Sequence, residues 1–186
     1  LREAETSLDI VYHSTHPSVT TSAFYTEVHQ AAERGIRVRV ILDGKAGASG
    51  SELKSIVNRL AVHPNIEFRL YNSLNVLAAW TWHGMLHDKM MIMDERLLLM
   101  GGRNIADRYF APPDFSGSVT YDRDVLVAKT RELGQSVLAQ GLAYFDLLWD
   151  SPDTRPAKGR ARQDGKWLLV TEQAAAFEAD HPDYYA

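Results

Sequence analysis

The sequence predicts an α/β protein with a mixed, mostly parallel β-sheet flanked by helices, an α-β-α sandwich. Three observations support this fold class. Short apolar segments alternate with helical segments over residues 8–70, two apolar segments at 86–100 flank a polar turn, and a long amphipathic segment ends near Trp149. Strands that alternate with helices favour parallel pairing with right-handed crossovers, whereas a tight turn favours an antiparallel hairpin.

The first half of the chain is predicted to alternate strands with helices. Ser22 is expected to cap a helix that Gly35 ends, and a capping box of Ser49 and Glu52 predicts a second helix to about residue 61. The predicted strands are short, apolar and partly β-branched, and they cover residues 8–12, 36–42 and 66–70.

The second half is predicted to begin with a hairpin that turns at Asp94 and Glu95, followed by one helical turn at 104–109. Thr130 is expected to cap the long helix that ends near Trp149. The predicted strands of this half cover residues 86–93, 96–100 and 124–128. Residues 151–166 hold two Pro, two Gly and five Lys or Arg and are predicted to be a linker, followed by a lone strand at 167–171 and a helical turn at 172–178.

The composition is that of one folded domain of ordinary size. The chain has 186 residues, of which 45% are hydrophobic, which is enough for a core. The net charge of -4 gives no reason to expect a polyanionic partner, although a local basic patch can still bind phosphate. The absence of cysteine excludes thiolate nucleophiles and thiolate metal sites, and no apolar run reaches the ~20 residues of a membrane span. Since the chain starts at Leu1 rather than at a methionine, the natural protein is expected to begin earlier.

The densest chemistry lies in residues 87–104, which read His87-x-Lys89, an apolar run, Asp94, and then Gly-Gly-x-Asn ending at Asn104. On a strand, alternate side chains share a face, so the imidazole and the ammonium would lie roughly 7 Å apart, which suits one phosphate group. The amide of Asn104 could donate to the same oxygens, and Gly102 with its neighbouring glycine allows close approach of a ligand.

A neutral histidine that attacks phosphorus is a nucleophilic catalyst and must be held in one tautomer. A carboxylate on the other ring nitrogen usually does this. Asp122 and Asp124 share a face at the start of the strand that follows, so they are the available acidic partners of His87.

The pattern H-x-K-x4-D followed by G-[GS]-x-N resembles the signature of the phospholipase D superfamily. The resemblance covers about residues 1–150 and includes LDIVY, AAERGIRVRVILD and YDRDVLV. The segment GGRNIADRYF, with DRDVLVA after it, looks most like the N-terminal lobe of the bacterial cardiolipin synthase C group. Most members of the superfamily have Ser where Gly102 stands, but Gly is usual in that group.

The resemblance implies a role for each residue of the motif. His87 would form a phosphohistidine, or act as general acid and base, while Asp94 would support the hairpin turn. Asp122 stands where many relatives hold the histidine with Glu, with Asp124 in reserve. No metal or cofactor is implied, because Lys and His supply the positive charge. The residues expected to bind the substrate phosphate are His87, Lys89, Asn104, Gly102 and Arg103; for Arg103 a salt bridge is the alternative.

The resemblance also implies that the active site needs two such motifs, whereas this chain has one H-x-K. Residues 1–150 are therefore predicted to be one catalytic lobe, and 151–186 a linker or tail towards a missing second lobe. A homodimer of two copies is the alternative. In either case a second lobe is the expected partner.

The implied function is phosphodiester transfer of the phospholipase D type, with a glycerophospholipid substrate and cardiolipin synthesis as the best single prediction. Peripheral contact with the cytoplasmic side of a bacterial inner membrane follows from it. One alternative is a metal-independent nuclease or phosphodiesterase that works as a homodimer. The negative charge and the lack of a long basic stripe make nucleic acid the less favoured partner. A non-catalytic scaffolding or dimerisation lobe is a third alternative, against which the intact His, Lys and Asn count.

Several side chains near the motif leave alternatives open. His13 follows the first strand and could face the pocket, but a surface loop is preferred. Trp80 and Trp82 could form a lipid-facing lip or pack in the core. His83 and His87 would make a metal pair on a helix, but the apolar run that follows favours a strand. The basic residues of 155–166 could contact an anionic membrane instead of forming a solvated linker.

Overall fold

The computed structural model describes residues 1–46, 51–73, 83–131, 136–160 and 165–184. The strands are β1 Ser7–Tyr12, β2 Arg37–Asp43, β3 Ile66–Tyr71, β4 Lys89–Met93, β5 Leu97–Gly101, β6 Asp124–Ala128 and β7 Thr154–Pro156. The helices are α1 Val19–Glu33, α2 Ser51–Leu60, α3 Asp107–Phe110, α4 Val137–Trp149 and α5 Gly165–Asp180, followed by a short 3-10 turn at Pro182–Tyr184.

Within the described residues the strands form one seven-stranded sheet in the order β6-β5-β4-β1-β2-β3-β7. The β-α-β-α-β order of the first half gives the parallel pairs β1–β2 and β2–β3, as predicted. The hairpin β4–β5 is antiparallel, as are the pairings β1–β4, β5–β6 and β3–β7. The predicted mixed sheet flanked by helices is therefore confirmed, and its parallel part is the central β1–β2–β3 group.

The alternation of side chains along the strands creates one apolar core on each face of the sheet. Leu8 and Ile10 of β1 pack with α1, α2 and α5 on one face. Val11, the next residue along, faces the other side and packs there with Phe145 and Leu148 of α4. Both cores are fully enclosed at their centres, so the α-β-α layering follows from the period of two in the strands.

Strand β4 begins at Lys89 rather than at residue 86, so the predicted strand is three residues too long at its start. The segment before it, residues 83–88, is neither strand nor helix beyond a turn at His83. His87 therefore does not share a strand face with Lys89. It also does not form an i,i+4 helical metal pair with His83.

Two predicted helix caps are wrong. Helix α1 begins at Val19 because Ser18, in an extended conformation, accepts a hydrogen bond from the N–H of Thr21. Ser22 lies buried inside the helix and donates to Gln173. Helix α4 is capped by Ser136, which accepts from the N–H of Ala139, and not by Thr130.

Other predictions fall on parts of the chain outside the described residues. These include the cap at Ser49 and the environments of Trp80 and Trp82. The end of α1 is confirmed, because Gly35 follows it with φ of 93°, a conformation that favours glycine.

The described residues after 150 pack on the rest of the fold as a strand and a helix, so the predicted lone strand at 167–171 and short helical turn at 172–178 are wrong. The division into a lobe at 1–150 and a tail towards a second lobe stays a prediction. Strand β7 pairs with β3 at the edge of the sheet, where Pro156 removes no hydrogen bond from a central strand. Residues 165–180 form one helix that packs on α1 and buries Val170 and Ala174. The apolar run 167–170 resembles a strand in isolation, but buried residues four apart share one side of a helix.

Candidate active site

The position of His87 is set by side chains, because its backbone lies outside the sheet ladder, two residues before β4 begins. The buried carboxylate of Asp43, at the end of β2, accepts from the N–H of Leu86 at 2.9 Å. Nδ1 of His13 donates to the carbonyl of Leu86 at 2.7 Å, and Nζ of Lys89 donates to the carbonyl of His87 at 2.7 Å. These three contacts fix the backbone that carries the exposed imidazole.

Lys89 lies directly beside the imidazole of His87. Its Nζ is 3.2 Å from Nδ1 and 3.5 Å from Nε2. Lys89 is the cross-strand partner of Tyr12 in the pairing of β4 with β1, and the residue is buried, with only 6% exposed. The sequence prediction that these two groups form one cluster is thus met by the structure, although a shared strand face is not the reason.

The surroundings of His87 and Lys89 lower the pKa of both groups. The Lys89 ammonium, then burial and then His13 hold the pKa of His87 below its ordinary value of 6.5, while Asp88 acts in the opposite sense. Burial lowers the pKa of Lys89 from 10.5, and Asp88 and Asp122 oppose this. The neutral imidazole, which has the lone pair needed for nucleophilic attack, is therefore favoured at His87.

His13 belongs to this site, so the preference for a surface loop is wrong. Its ring centroid lies 4.6 Å from that of His87, with the two planes inclined by 46°. The loop after β1 is held in place by a parallel bridge between Thr15 and Ile105. The sequence offers one signal for this location, since His13 directly follows a buried strand at the edge where functional side chains gather.

Asn104 is buried and joins the same loop. Its Oδ1 accepts from the N–H of Ser14 at 3.2 Å, and its Nδ2 donates to the hydroxyl of Tyr109 at 3.3 Å. Because a backbone N–H can only donate, the Ser14 contact fixes the orientation of the carboxamide. The amide NH₂, which has two hydrogens, is the group predicted to donate to a phosphoryl oxygen, and that role stays a prediction.

The two carboxylates after the motif lie over its two glycines. A Cβ on Gly102 would clash with the carboxylate of Asp122, and one on Gly101 would clash with Oδ1 of Asp124. Among the described residues, no hydrogen bond joins either carboxylate to His87. Asp122 accepts from the N–H of Arg123 instead. Its predicted role as the tautomer holder of His87 stays a prediction.

Arg103 makes structural contacts at the rim of the site. Its Nη2 donates to the carbonyl of Asp122 at 3.1 Å, and its Nη1 lies 3.3 Å from a carboxylate oxygen of Asp124. The guanidinium also lies over the ring of Phe110, 5.6 Å from its centroid. The salt bridge that the sequence left as the alternative for Arg103 is present, and contact with a phosphate stays a prediction.

Asp94 lies at the far end of β4 from Lys89 and ties the hairpin turn to the start of β1. Its carboxylate accepts from the N–H groups of Glu5, Thr6 and Ser7 and from the Thr6 hydroxyl, at 2.7–3.2 Å. Burial alone would raise the pKa of Asp94, but these hydrogen bonds bring it below 3.8. This geometry fits a supporting role at the turn and not a reacting group.

A second cluster of histidines lies at the opposite ends of the strands, where β3 begins. The ligand atoms of His29, Glu33 and His63 lie within 4.8 Å of one another. The N–H of Asn65 donates to Nδ1 of His63, so the proton of that ring is on Nε2, 3.1 Å from the Glu33 carboxylate. Nε2 of His29 accepts from Arg59. The nitrogens that would bind a metal are thus engaged in hydrogen bonds.

Comparison with known proteins places the sequence that forms this site in a family. Residues 1–146 match the family described as "Cardiolipin synthase, PLD-like domain". Cardiolipin synthase C of Escherichia coli (strain K12) is 33% identical over 116 residues, which cover 58% of this chain and 24% of that protein. The chain thus spans about a quarter of the length of the curated relatives that it matches.

Two solved structures share the fold. Nuc of Salmonella typhimurium, described as a phospholipase D family member, superposes with a TM-score of 0.59 at 18% sequence identity. The superposition covers 85% of this chain and 86% of the Nuc chain. NucT of Helicobacter pylori has a TM-score of 0.61 at 18% identity, with coverage of 84% and 85%. At these identities the likeness supports the fold alone.

Proposed function

Since the chain belongs to the phospholipase D-like domain family of cardiolipin synthases, we propose that it transfers phosphodiesters through a covalent phosphohistidine at His87. The observation that carries the proposal is the buried ammonium of Lys89, 3.2 Å from an exposed imidazole whose pKa is lowered. A fixed cation beside a neutral nucleophile is the arrangement that attack on a phosphodiester anion requires.

In the first step, a lone pair of the His87 imidazole attacks phosphorus, and the bond from phosphorus to the leaving oxygen breaks. The leaving alcohol takes its electron pair and then a proton. Lys89 and the NH₂ of Asn104 stabilise the non-bridging oxygens, on which negative charge accumulates. In the second step, an acceptor alcohol or water loses a proton, its oxygen attacks the same phosphorus, and the phosphorus–nitrogen bond breaks to restore His87.

The proton for the leaving oxygen is assigned to a second copy of the motif. In-line displacement places the leaving group on the far side of phosphorus from His87. A second lobe that faces this one would place its own histidine there. The chain thus acts as half of a two-motif site, completed either by a further lobe of a longer protein or by another copy of itself.

Phosphatidyl transfer to make cardiolipin is the favoured reaction, because the matching family and the relative from Escherichia coli are both described as cardiolipin synthases. An apolar groove of about 290 Å³ supports a lipid substrate. It includes Tyr12, the cross-strand partner of Lys89, and Ile105, the residue after Asn104. No helix among the described residues is long and apolar enough to cross a bilayer. The membrane contact that we propose is made by the surface around this groove.

The second candidate is a metal-independent nuclease or phosphodiesterase that works as a homodimer. It is favoured by one observation, the fold shared with Nuc and NucT, which extends over 85% and 84% of this chain. In that case two copies of the chain would supply the two histidines.

The two candidates differ in substrate, so parallel assays separate them. The chain, and the natural protein if it is longer, would be incubated with phosphatidylglycerol vesicles and with DNA, both in the presence of a chelator. We expect cardiolipin from the vesicles and none with His87→Ala. Cleavage of DNA alone would favour the second candidate, a strict requirement for a divalent metal would contradict both, and equal activity of His87→Ala would remove His87 from the mechanism.

A further inference from the structure

We propose that His13 is a second histidine of this active site, a positioning residue that holds the peptide before His87 and lies against the His87 ring. Two contacts of different kinds support this. Nδ1 of His13 donates to the Leu86 carbonyl at 2.7 Å, and its ring centroid lies 4.6 Å from that of His87.

The first contact acts on the backbone. His87 precedes β4, so no ladder hydrogen bond fixes it, and the Leu86 peptide is held from both sides instead. Asp43 accepts from its N–H and His13 donates to its C=O. Both side chains are anchored at the ends of parallel strands, Asp43 as the last residue of β2 and His13 as the residue after β1. A nucleophile outside regular structure is thereby tied to the two central strands.

The second contact acts on the ring. Because a carbonyl only accepts, the Nδ1 of His13 carries a hydrogen, and the neutral ring has its lone pair on Nε2. Among the described residues, the charged or titratable groups that act on His87 are Lys89, Asp88 and His13. A proton on the His13 ring opposes a second proton on the neighbouring His87 ring, so His13 helps to keep the nucleophile neutral.

His13 is a poor candidate for the missing proton donor. Its ring lies beside the His87 ring, whereas the leaving oxygen departs from the opposite side of phosphorus. The geometry therefore assigns two tasks to His13: it orients His87 and helps to keep the His87 ring neutral. The proton for the leaving oxygen comes from the second motif.

The inference about catalysis depends on the proposed function, but the inference about His87 itself can be tested without any reaction. Long-range ¹H–¹⁵N NMR of the imidazoles would follow the titration of His87, with its signal assigned by loss in His87→Gln. His13→Asn keeps a donor for the Leu86 carbonyl but removes the ring, whereas His13→Phe keeps a ring but removes the donor. His16→Asn is the matched control, because His16 is an exposed histidine of the same loop.

We expect the titration midpoint of His87 to move to higher pH in both His13 variants and to stay in place in His16→Asn. An unchanged midpoint in both His13 variants, with folding intact by circular dichroism, would overturn the proposal. So would a shift of the same size in His16→Asn, because it would mean that the effect is general to the loop.

A second experiment, which measures a reaction, separates the effect of His13 on the backbone from its effect on the protonation of His87. Bis(4-nitrophenyl) phosphate releases a stable phenolate that needs no proton, so His87 alone can form its phosphoryl adduct. At pH 8 we expect the initial release of 4-nitrophenolate to be within about threefold of wild type in His13→Asn and about tenfold slower in His13→Phe, because only the second variant loosens the nucleophile. Equal rates in the two variants would overturn the backbone clamp. If wild type releases none while the NMR midpoint still responds to His13, the proposed function fails and the positioning of His87 stands.

Discussion

The chemistry of single residues centres on the pair His87 and Lys89. One cation at 3.2 Å both lowers the pKa of the imidazole and offers an N–H donor to a bound anion. A protonated imidazole has no lone pair with which to attack phosphorus. The rate should therefore fall as pH drops through the pKa of His87, and because that pKa is depressed, activity should persist below pH 6.5.

Removing the cation should change both the rate and its pH dependence. We expect Lys89→Met to lower the rate of phosphodiester transfer by about 10²–10³-fold, the usual effect of losing one preorganised donor. The acid limb of its pH–rate profile should move to higher pH, since the pKa of His87 rises when the ammonium is gone. Lys54→Met, at an exposed lysine of α2, is the control. A slower enzyme whose acid limb does not move would contradict the electrostatic role.

Asp94 should act on stability rather than on chemistry. We expect Asp94→Ala to lower the free energy of unfolding by about 1–3 kcal/mol, because four donors at the start of β1 lose their acceptor. The pKa of Asp94 is lowered in the folded chain, so this stabilisation is present above pH 3.8 and is lost as pH falls through the folded pKa.

Urea unfolding at pH 7 and pH 3 would measure both effects of Asp94. Glu95→Ala is the control, because Glu95 is an exposed residue with the same positive φ in the same turn. Equal stability of Asp94→Ala and Glu95→Ala at pH 7 would contradict the account.

Residue types in the sequence predicted that His87 and Lys89 lie together and that Asp94 lies apart from them at the hairpin turn. The catalytic roles of these residues stay predictions. Residue types did not predict His13, because a histidine in a polar loop is usually a surface residue. Its role depends on a contact with Leu86, 73 positions away, and on a bridge from Thr15 to Ile105 that no local pattern encodes.

At the scale of elements, the packing of β5 against β6 explains the two adjacent glycines. A Cβ on Gly101 would lie 2.6–2.7 Å from backbone atoms of Arg123 and Asp124. The three atoms nearest to a Cβ on Gly102 would all belong to the side chain of Asp122, which is exposed and can rotate away. Gly101 is therefore required by the pairing of the strands, whereas Gly102 leaves room for one carboxylate.

This difference predicts unequal effects of the same substitution. We expect Gly101→Ala to lower the free energy of unfolding by about 2 kcal/mol or more, and Gly102→Ala by less than about 1 kcal/mol. Adding Asp122→Ala should remove the cost at position 102 and leave the cost at 101 unchanged. Chemical denaturation of the four variants would measure this. Equal costs at the two glycines would contradict the packing described here.

Most strands could be predicted because their apolar, β-branched segments are bounded by polar turns, and β6 was predicted with its observed ends. The ends of other elements depended on competing signals. Ser18 and Ser22 are both possible caps, and only the extended backbone at Ser18 decides between them. The apolar residues before β4 continue the pattern of the strand, but no partner strand extends that far.

At the scale of the whole molecule, the residues after 150 complete the fold that supports the site. Helix α5 packs on α1, where Ser22 donates to Gln173, and Arg2 lies 2.8 Å from Glu178. Val170, at 2% exposure, enters the same core as Leu8 and Ile10 of β1. The sequence could not predict this docking, because the period of so short an apolar run fits a strand as well as a helix.

We therefore expect Val170→Ala to lower the free energy of unfolding by about 2 kcal/mol, the combined effect of lost burial and a small cavity. Leu169→Ala, at the adjacent residue with 62% exposure, should change it by less than about 0.5 kcal/mol. Guanidinium unfolding of the two variants gives the comparison. A larger loss at Leu169 than at Val170 would contradict the packing of α5.

If the chain forms half of a two-motif site, as proposed, its nucleophile can be tested directly without the second lobe or the lipid. The chain would be mixed with bis(4-nitrophenyl) phosphate, quenched in alkali to preserve phosphohistidine, and analysed by intact and tandem mass spectrometry. We predict a single 4-nitrophenyl phosphoryl adduct on His87, formed with one equivalent of phenolate and absent from His87→Gln. Phenolate release without an adduct, or an adduct on another residue, would contradict the assignment of His87 as the nucleophile.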